Sequence, residues 1–324
     1  MTQVRELSEG MHVHGEKYTA FVDLLQKTVS GRMGDHYEVR VYPVRKNNNV
    51  IADSITIRET GESVAPLIYL DPYYAAFSRG CSIHDLAEDV IAGFQNVRVK
   101  GRLDMGFFLD WEKVRKKVVC RLVGREQNKA LLDEIPHRTF LDMAVIYYYQ
   151  YNPSGEEEQK PGLGGIMIRS EFLKQWGITS ALLDAEASVN TRRMYPPECR
   201  GMQEMMEEMI GTDFHGSERE REHLFVLTNK ARCYGAFWMT DPDVLRNIYD
   251  LLQTDYYILP SSVHECMILS EKEGIDACAL QAMVRDINMT QVDPEEVLTH
   301  SVYLYQGAGQ KLSVAASENA GQSG

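Results

Sequence analysis

Between residues 222 and 269 the hydrophobic pattern passes from a strand (223–228) through a turn (229–232) to a second strand (233–239). A helix (241–253) and two further strands (256–259 and 265–269) follow. The helix opens on Asp241-Pro242-Asp243 and brings Val244, Leu245, Ile248, Leu251 and Leu252 to one side, so its start signal and its period agree. Strands that follow one another closely, with a helix only at intervals, lack the strict βαβ rhythm of a parallel sheet. The expected class is α+β: antiparallel or mixed sheets with packed amphipathic helices and room for two subdomains.

The same reading extends to the rest of the chain. Tyr18, Phe21, Val22, Leu25 and Val29 recur at helical spacing over 16–30, before Gly31 and Gly34. Alternating runs at 36–44 and 50–58 flank Lys46-Asn47-Asn48-Asn49, a hairpin signal. A third strand is expected at 65–70, a helical turn from Asp71-Pro72, and a helix to Phe94 opened by Ser82 and Asp85 as a capping box. Strands are expected at 118–123 and 140–151. The second of these, LDMAVIYYYQY, is so uniformly apolar that a buried helix fits equally well. A strand at 166–168, a helix from Arg169 and an amphipathic stretch over 179–194 come next, and Pro196-Pro197 breaks the pattern. Met202, Met205, Met206 and Met209 then share one side of a helix over 201–210, which reads as adaptable core packing. A helix over 275–287 and a strand over 301–305 close the fold.

The domain layout expected from these signals is a polar leader (1–15), an N-terminal α+β region (16–151), a loop or linker (152–165), a C-terminal α+β region (166–314) and a disordered tail (315–324). The 152–165 stretch, NPSGEEEQKPGLGG, combines Pro, Gly and three glutamates. A chain of 324 residues is long enough to bury a core without covalent staples. Its six cysteines show no C-x-x-C pair, and no run is long and apolar enough for a signal-peptide core or a membrane helix. A soluble protein of a reducing cytoplasm is expected, without membrane contact.

Net charge is −13 and lies mostly in the second half of the chain. Residues 1–162 carry 21 Lys/Arg against 23 Asp/Glu, whereas 163–324 carry 13 against 24. The acidic half repels polyanions. One basic island remains, Arg98, Lys100, Arg102, Lys113, Arg115, Lys116, Lys117, Arg121 and Arg125. It lacks the interleaved aromatics of a base-stacking platform, so nucleic acid is a disfavoured partner.

Ser261, Ser262, His264 and Glu265 place two hydroxyls, an imidazole and a carboxylate within five positions, the groups a serine hydrolase assembles. In an extended chain, however, Ser262 and His264 point to one side while Ser261 and Glu265 point to the other. A turn between strands, with serines satisfying backbone groups, accounts for the segment more simply. His264-Glu265 begins like a zinc-protease H-E-x-x-H, but Ile268 stands where the second histidine belongs. No metal ligands, no cofactor site and no phosphate loop are expected. Gly162-Leu163-Gly164-Gly165 leads to a strand without the helix and Lys-Ser/Thr that a phosphate loop needs.

Several segments together carry a resemblance: VRVYPVRKNNNVIADSITIRE, APLIYLDPYYAAFSRGCSIHDLAEDVI, IPHRTFLDMAVIYYY, LTNKARCYGAFWM and YYILPSSVHECMIL. Over roughly residues 16–306 the chain resembles a domain-of-unknown-function family of anaerobic, gut-type clostridial bacteria. The resemblance implies a bacterial protein of a single family and supplies no activity. Asn47, Asn48, Tyr69, His137, Asp142, Pro260, Ser261, Ser262, His264 and Glu265 lie within the resembling segments.

The leading expectation is a cytosolic protein that binds a protein or small-molecule partner without catalysing a reaction. The first alternative is a hydrolase using Ser261 or Ser262 with His264 and a carboxylate such as Glu265, with His137 brought near by folding. The second is a nucleic-acid accessory role for the basic 98–125 segment. The sequence leaves oligomeric state open.

Overall fold

The computed structural model describes residues 15–61, 65–99, 105–150, 165–210, 224–260, 262–271 and 276–317. They form helices and three antiparallel sheets, an α+β fold. The described residues separate into two compact units, the first up to Phe107 and the second from Phe108 on. The loop or linker expected at 152–165 falls, but for Gly165, outside the described residues. Residues 151–164 lie outside the described ones, and strands on either side of them share a sheet. The leader through residue 14 and the tail from 318 also lie outside.

In the first unit, helix α1 (Glu16–Met33) buries Tyr18, Phe21, Leu25 and Val29 and runs on through Gly31. It ends at Gly34, whose φ of 75° suits a residue without a Cβ. Strands β1 (Tyr37–Arg45) and β2 (Ile51–Glu59) pair in the expected hairpin, from Tyr37↔Glu59 to Arg45↔Ile51. Their turn places Asn48 and Asn49 at positive φ, which asparagine tolerates better than most residues. β3 (Leu67–Tyr69) adds to β2. Helix α2 (Asp71–Ser78) starts on Pro72, and α3 (Ile83–Val99) starts on the capping box, with the Asp85 N–H donating to Ser82 Oγ at 3.2 Å. Phe21, Leu25, Ile55, Ile57, Leu70 and Val90 form the core. Each such side chain contributes roughly 1.5–3 kcal/mol by leaving water.

The second unit holds two sheets. In the smaller, β6 (Met143–Gln150) is flanked on one side by β4 (Val118–Gly124). On its other side lie β5 (His137–Phe140) and, further along, β7 (Gly165–Met167). The apolar run over 140–151 is thus strand and not helix. Its uniformity has a cause: β6 is covered on both faces. Ala144 and Ile146 pack with Leu131, Leu132 and Ile135, while Tyr147 reaches Asp184 on the long helix that also packs on β4.

The larger sheet runs β13 (Lys311–Ala316), β12 (Val302–Gln306), β10 (Tyr256–Pro260), β11 (Cys266–Ser270), β9 (Leu224–Asn229), β8 (Pro197–Gly201). Two of these strands were unforeseen. β8 follows the break at Pro196-Pro197, where proline is tolerated because the strand is an edge. β13 takes in Ala315 and Ala316, where the composition predicts a disordered tail. The strand expected at 233–239 is instead a buried 3-10 segment, Gly235–Thr240, because both edges of β9 are already taken by β8 and β11. The unit's helices include α4 (Trp111–Val114), α5 (Lys129–Leu132), α6 (Ser170–Trp176), α7 (Ser180–Met194), α8 (Met202–Ile210), α9 (Pro242–Leu252) and α10 (Ala277–Gln291). No helix among the described residues is long and apolar enough to cross a membrane.

Candidate functional site

Residues 262–265 form the turn from β10 to β11, closed by the Pro260↔Cys266 pair. Ser262 Oγ accepts the backbone N–H of His264 at 3.0 Å, and the Val263 N–H donates to the Glu296 carbonyl at 2.8 Å. The His264 carbonyl receives two donors, the Gly235 N–H and Thr228 Oγ1, each at 2.9 Å. This main chain is held from three directions before any side chain is considered.

The imidazole is held as well. Its Nδ1 lies 3.1 Å from the backbone N–H of Tyr234, and Nε2 lies 3.3 Å from Glu296 Oε1. An N–H pointing at Nδ1 requires that nitrogen to be the acceptor, so the hydrogen-bond network assigns the ring proton to Nε2, facing the carboxylate. Both ring nitrogens are therefore engaged. Ser262 meets His264 through its main chain and not through the ring. The carboxylate on the imidazole is Glu296, from the loop after α10, and not Glu265. His137 lies on β5, exposed, with Nδ1 3.1 Å from the Ile135 carbonyl, and no hydrogen bond joins it to His264. Ser261 lies outside the described residues.

Tyr234 leads from this turn to a second feature. Its backbone adopts the left-handed region (φ 55°), a conformation that costs a non-glycine residue free energy and persists only where surroundings enforce it. Here the N–H is fixed on His264, and the ring lies against Arg121, whose guanidinium carbon is 3.6 Å from the ring centroid. Tyr148 covers the guanidinium at 3.9 Å. The β4–β6 register explains this second contact: Arg121 opposes Ile146, so Tyr148 is its diagonal neighbour. β7 approaches closely at Gly165, where a Cβ would come 3.1 Å from the Tyr148 ring and 3.2 Å from Arg121 Nη2.

Arg121, Tyr234, Tyr195, Cys233, Gln150 and Thr191 line a cavity of about 10 Å³, room for roughly one water molecule. Several of its walls are rigid. Thr191 Oγ1 accepts the Cys120 N–H at 2.8 Å and donates to Ala187, and Asn229 holds the 231–233 turn through its side-chain amide. Burial pushes the Tyr195 and Tyr234 hydroxyls and the Cys233 thiol above their ordinary values, while the Arg121 charge pulls each the other way. Neither the Arg121 guanidinium nor the Tyr195 and Tyr234 hydroxyls make a hydrogen bond or ion pair among the described residues.

Elsewhere in the unit, carboxylates are matched by fixed partners. Asp184 receives Arg138 Nε and the Tyr147 hydroxyl at 2.9–3.2 Å, and Asp142 receives Thr299, Ser301 and Tyr303 hydroxyls. In the basic island, Lys113 pairs with Asp110 and Arg115 with Glu112 and Glu186, while Lys100 and Arg102 lie outside the described residues. No cluster of three or more potential metal ligands occurs among the described residues. All six cysteines are free thiols.

Of the residues singled out from sequence, the structure joins Ser262 and His264 in one turn. Glu296, Tyr234 and Arg121 come from segments 30 to 143 positions away from His264, with no local signal linking them. In comparisons with known proteins, the family of unknown function DUF5688 matches residues 18–307. No curated protein and no solved structure matches the chain.

Proposed function

Since the chain belongs to DUF5688, a family of unknown function that brings no activity with it, we propose from the geometry of its second unit that it is a small-molecule binding protein without catalytic chemistry of its own. The observation that carries this reading is the commitment of His264. An imidazole that accepts from a backbone N–H and donates to a carboxylate acts as a strut, here holding Tyr234 at the rim of a polar cavity. A general base needs a ring nitrogen free to take a proton. The hydrolase alternative, with Ser261 or Ser262, His264, a carboxylate and His137, requires the ring first to leave Tyr234 or Glu296. The setting we assign is the cytoplasm of an anaerobic, gut-type clostridial bacterium, and the free thiols support a reducing compartment.

The test is a thermal-shift screen of the full chain against a small-metabolite panel, paired with an assay of the same panel for turnover. The expected result is saturable stabilisation by one chemical class, since a ligand bound only by the folded state raises its stability as RT ln(1 + [L]/Kd). Turnover of any compound that disappears in His264→Ala would overturn the proposal.

A further inference from the structure

Resting on the binding reading above, we infer that an oxyanion, the carboxylate or phosphate group of a ligand, docks at the mouth of the cavity with one oxygen inside it, and that Arg121 is its anchor. Stacking between Tyr148 and Tyr234 closes both faces of the guanidinium and leaves its edge, where all five N–H donors lie. That edge finds no acceptor among the described residues, although Arg121 is only partly exposed. Tyr195 provides an independent observation. It is 9% exposed and lines the same cavity, yet its hydroxyl has no hydrogen-bond partner among the described residues. Its oxygen is not sealed from solvent, so an acceptor at the cavity can reach it. The Tyr234 hydroxyl is likewise unpaired.

One cation and two phenols around one cavity are donors seeking an acceptor. Glu296 is turned onto His264, and no ion pair joins the Arg121 guanidinium to a carboxylate among the described residues. An oxyanion answers this arrangement: two oxygens match the guanidinium fork, and further lone pairs accept from phenols. The cavity admits little more than one oxygen atom, so one oxygen of the headgroup enters while its other oxygens and the remainder of the ligand stay at the mouth and outside. Gly165 fits the same picture, since any side chain there would press on Arg121 and Tyr148.

The experiment is isothermal titration of the full chain with sodium phosphate and, separately, sodium acetate, each against sodium chloride at matched ionic strength. Wild type is compared with Arg121→Gln, Arg121→Lys and Tyr195→Phe, each checked for folding by circular dichroism. The expected result is binding of at least one anion above the chloride control. It should weaken roughly tenfold or more in Arg121→Gln and severalfold in Tyr195→Phe. Arg121→Lys should fall between, because it keeps the charge and loses the fork. Should Arg121→Gln not fold, the other two variants decide. Phosphate alone indicates a phosphorylated ligand, acetate alone a carboxylate. Equal binding by wild type and the folded variants overturns the inference. If neither anion binds while a neutral compound stabilises wild type and loses that effect in Tyr195→Phe, the oxyanion is wrong and the binding reading stands. If nothing binds, both fall.

Discussion

Tyr234 and Gly235 divide a steric problem between them. The chain must leave β9, turn through Asn229–Tyr234 and return across the end of the sheet close enough for the Gly235 N–H to reach the His264 carbonyl. Tyr234 makes the reversal with a left-handed backbone, and Gly235 makes the crossing, where no Cβ fits. One built there would lie 2.5 Å from Thr228 Oγ1 and 2.7 Å from both the His264 carbonyl oxygen and Thr228 Cα. Two of those atoms are backbone, so rotating a side chain away is no remedy. Gly235→Ala is expected to destabilise the protein by about 1–3 kcal/mol or more. The check is a lowered urea midpoint with an unchanged slope, which separates lost stability from a change in the unfolded state. A midpoint equal to wild type would show that the crossing is looser than its distances imply.

At the scale of elements, what could be read in advance depended on whether the signal was local. Helices α3 and α9 carry both period and cap, so their existence and starts are legible, whereas α1 carries the period without a capping side chain at its start. β6 was ambiguous because coverage on both faces erases alternation, information held by α7, Leu131 and Ile135 and absent from the run itself. The 235–240 segment is as apolar as a strand, and only the occupied edges of β9 exclude it from the sheet. The site divides in the same way. His264 stood out as a residue, but Glu296 and Tyr234 reach it across 32 and 30 positions. Arg121 looked like one member of a basic run until the register of β4 and β6 brought Tyr148 over it. A related long-range contact is testable: Asp142, in the β5–β6 turn, accepts hydroxyls of Thr299, Ser301 and Tyr303 on and before β12. It ties the two sheets of the unit together. Asp142→Ala orphans these donors, all three on buried residues, and should cost on the order of 2–4 kcal/mol, with Asp142→Asn recovering part of the loss. Chemical denaturation of the three proteins tests the ranking, and Asn as damaging as Ala would contradict the acceptor role.

Across the whole molecule, buried phenols and thiols place a pH sensitivity of stability in the alkaline range. The buried phenols of Tyr18, Tyr147, Tyr256 and Tyr303 all lie above the ordinary tyrosine value, each chiefly through burial. Neighbouring carboxylates add to the effect for Tyr18, Tyr147 and Tyr303. Burial likewise pushes the Cys120 and Cys199 thiols up to about 12. In every case the neutral, protonated form is the one the fold accommodates. The unfolded chain releases these protons near pH 9–10, while the folded chain holds them to higher pH. Above those ordinary values the unfolded state therefore binds fewer protons, and stability must fall as pH rises. Below about pH 8 both states are protonated and these groups contribute no pH dependence. The expected outcome is a urea midpoint insensitive to these groups from neutral pH to about 8, then declining steadily to pH 11. Tyrosinate absorbance should show only part of the 17 tyrosines ionising while the protein remains folded, and the remainder appearing abruptly with unfolding. A single smooth titration of all tyrosines near pH 10, with the fold intact, would mean that these phenols are hydrated and that the cores built around Tyr147, Tyr256 and Tyr303 admit water.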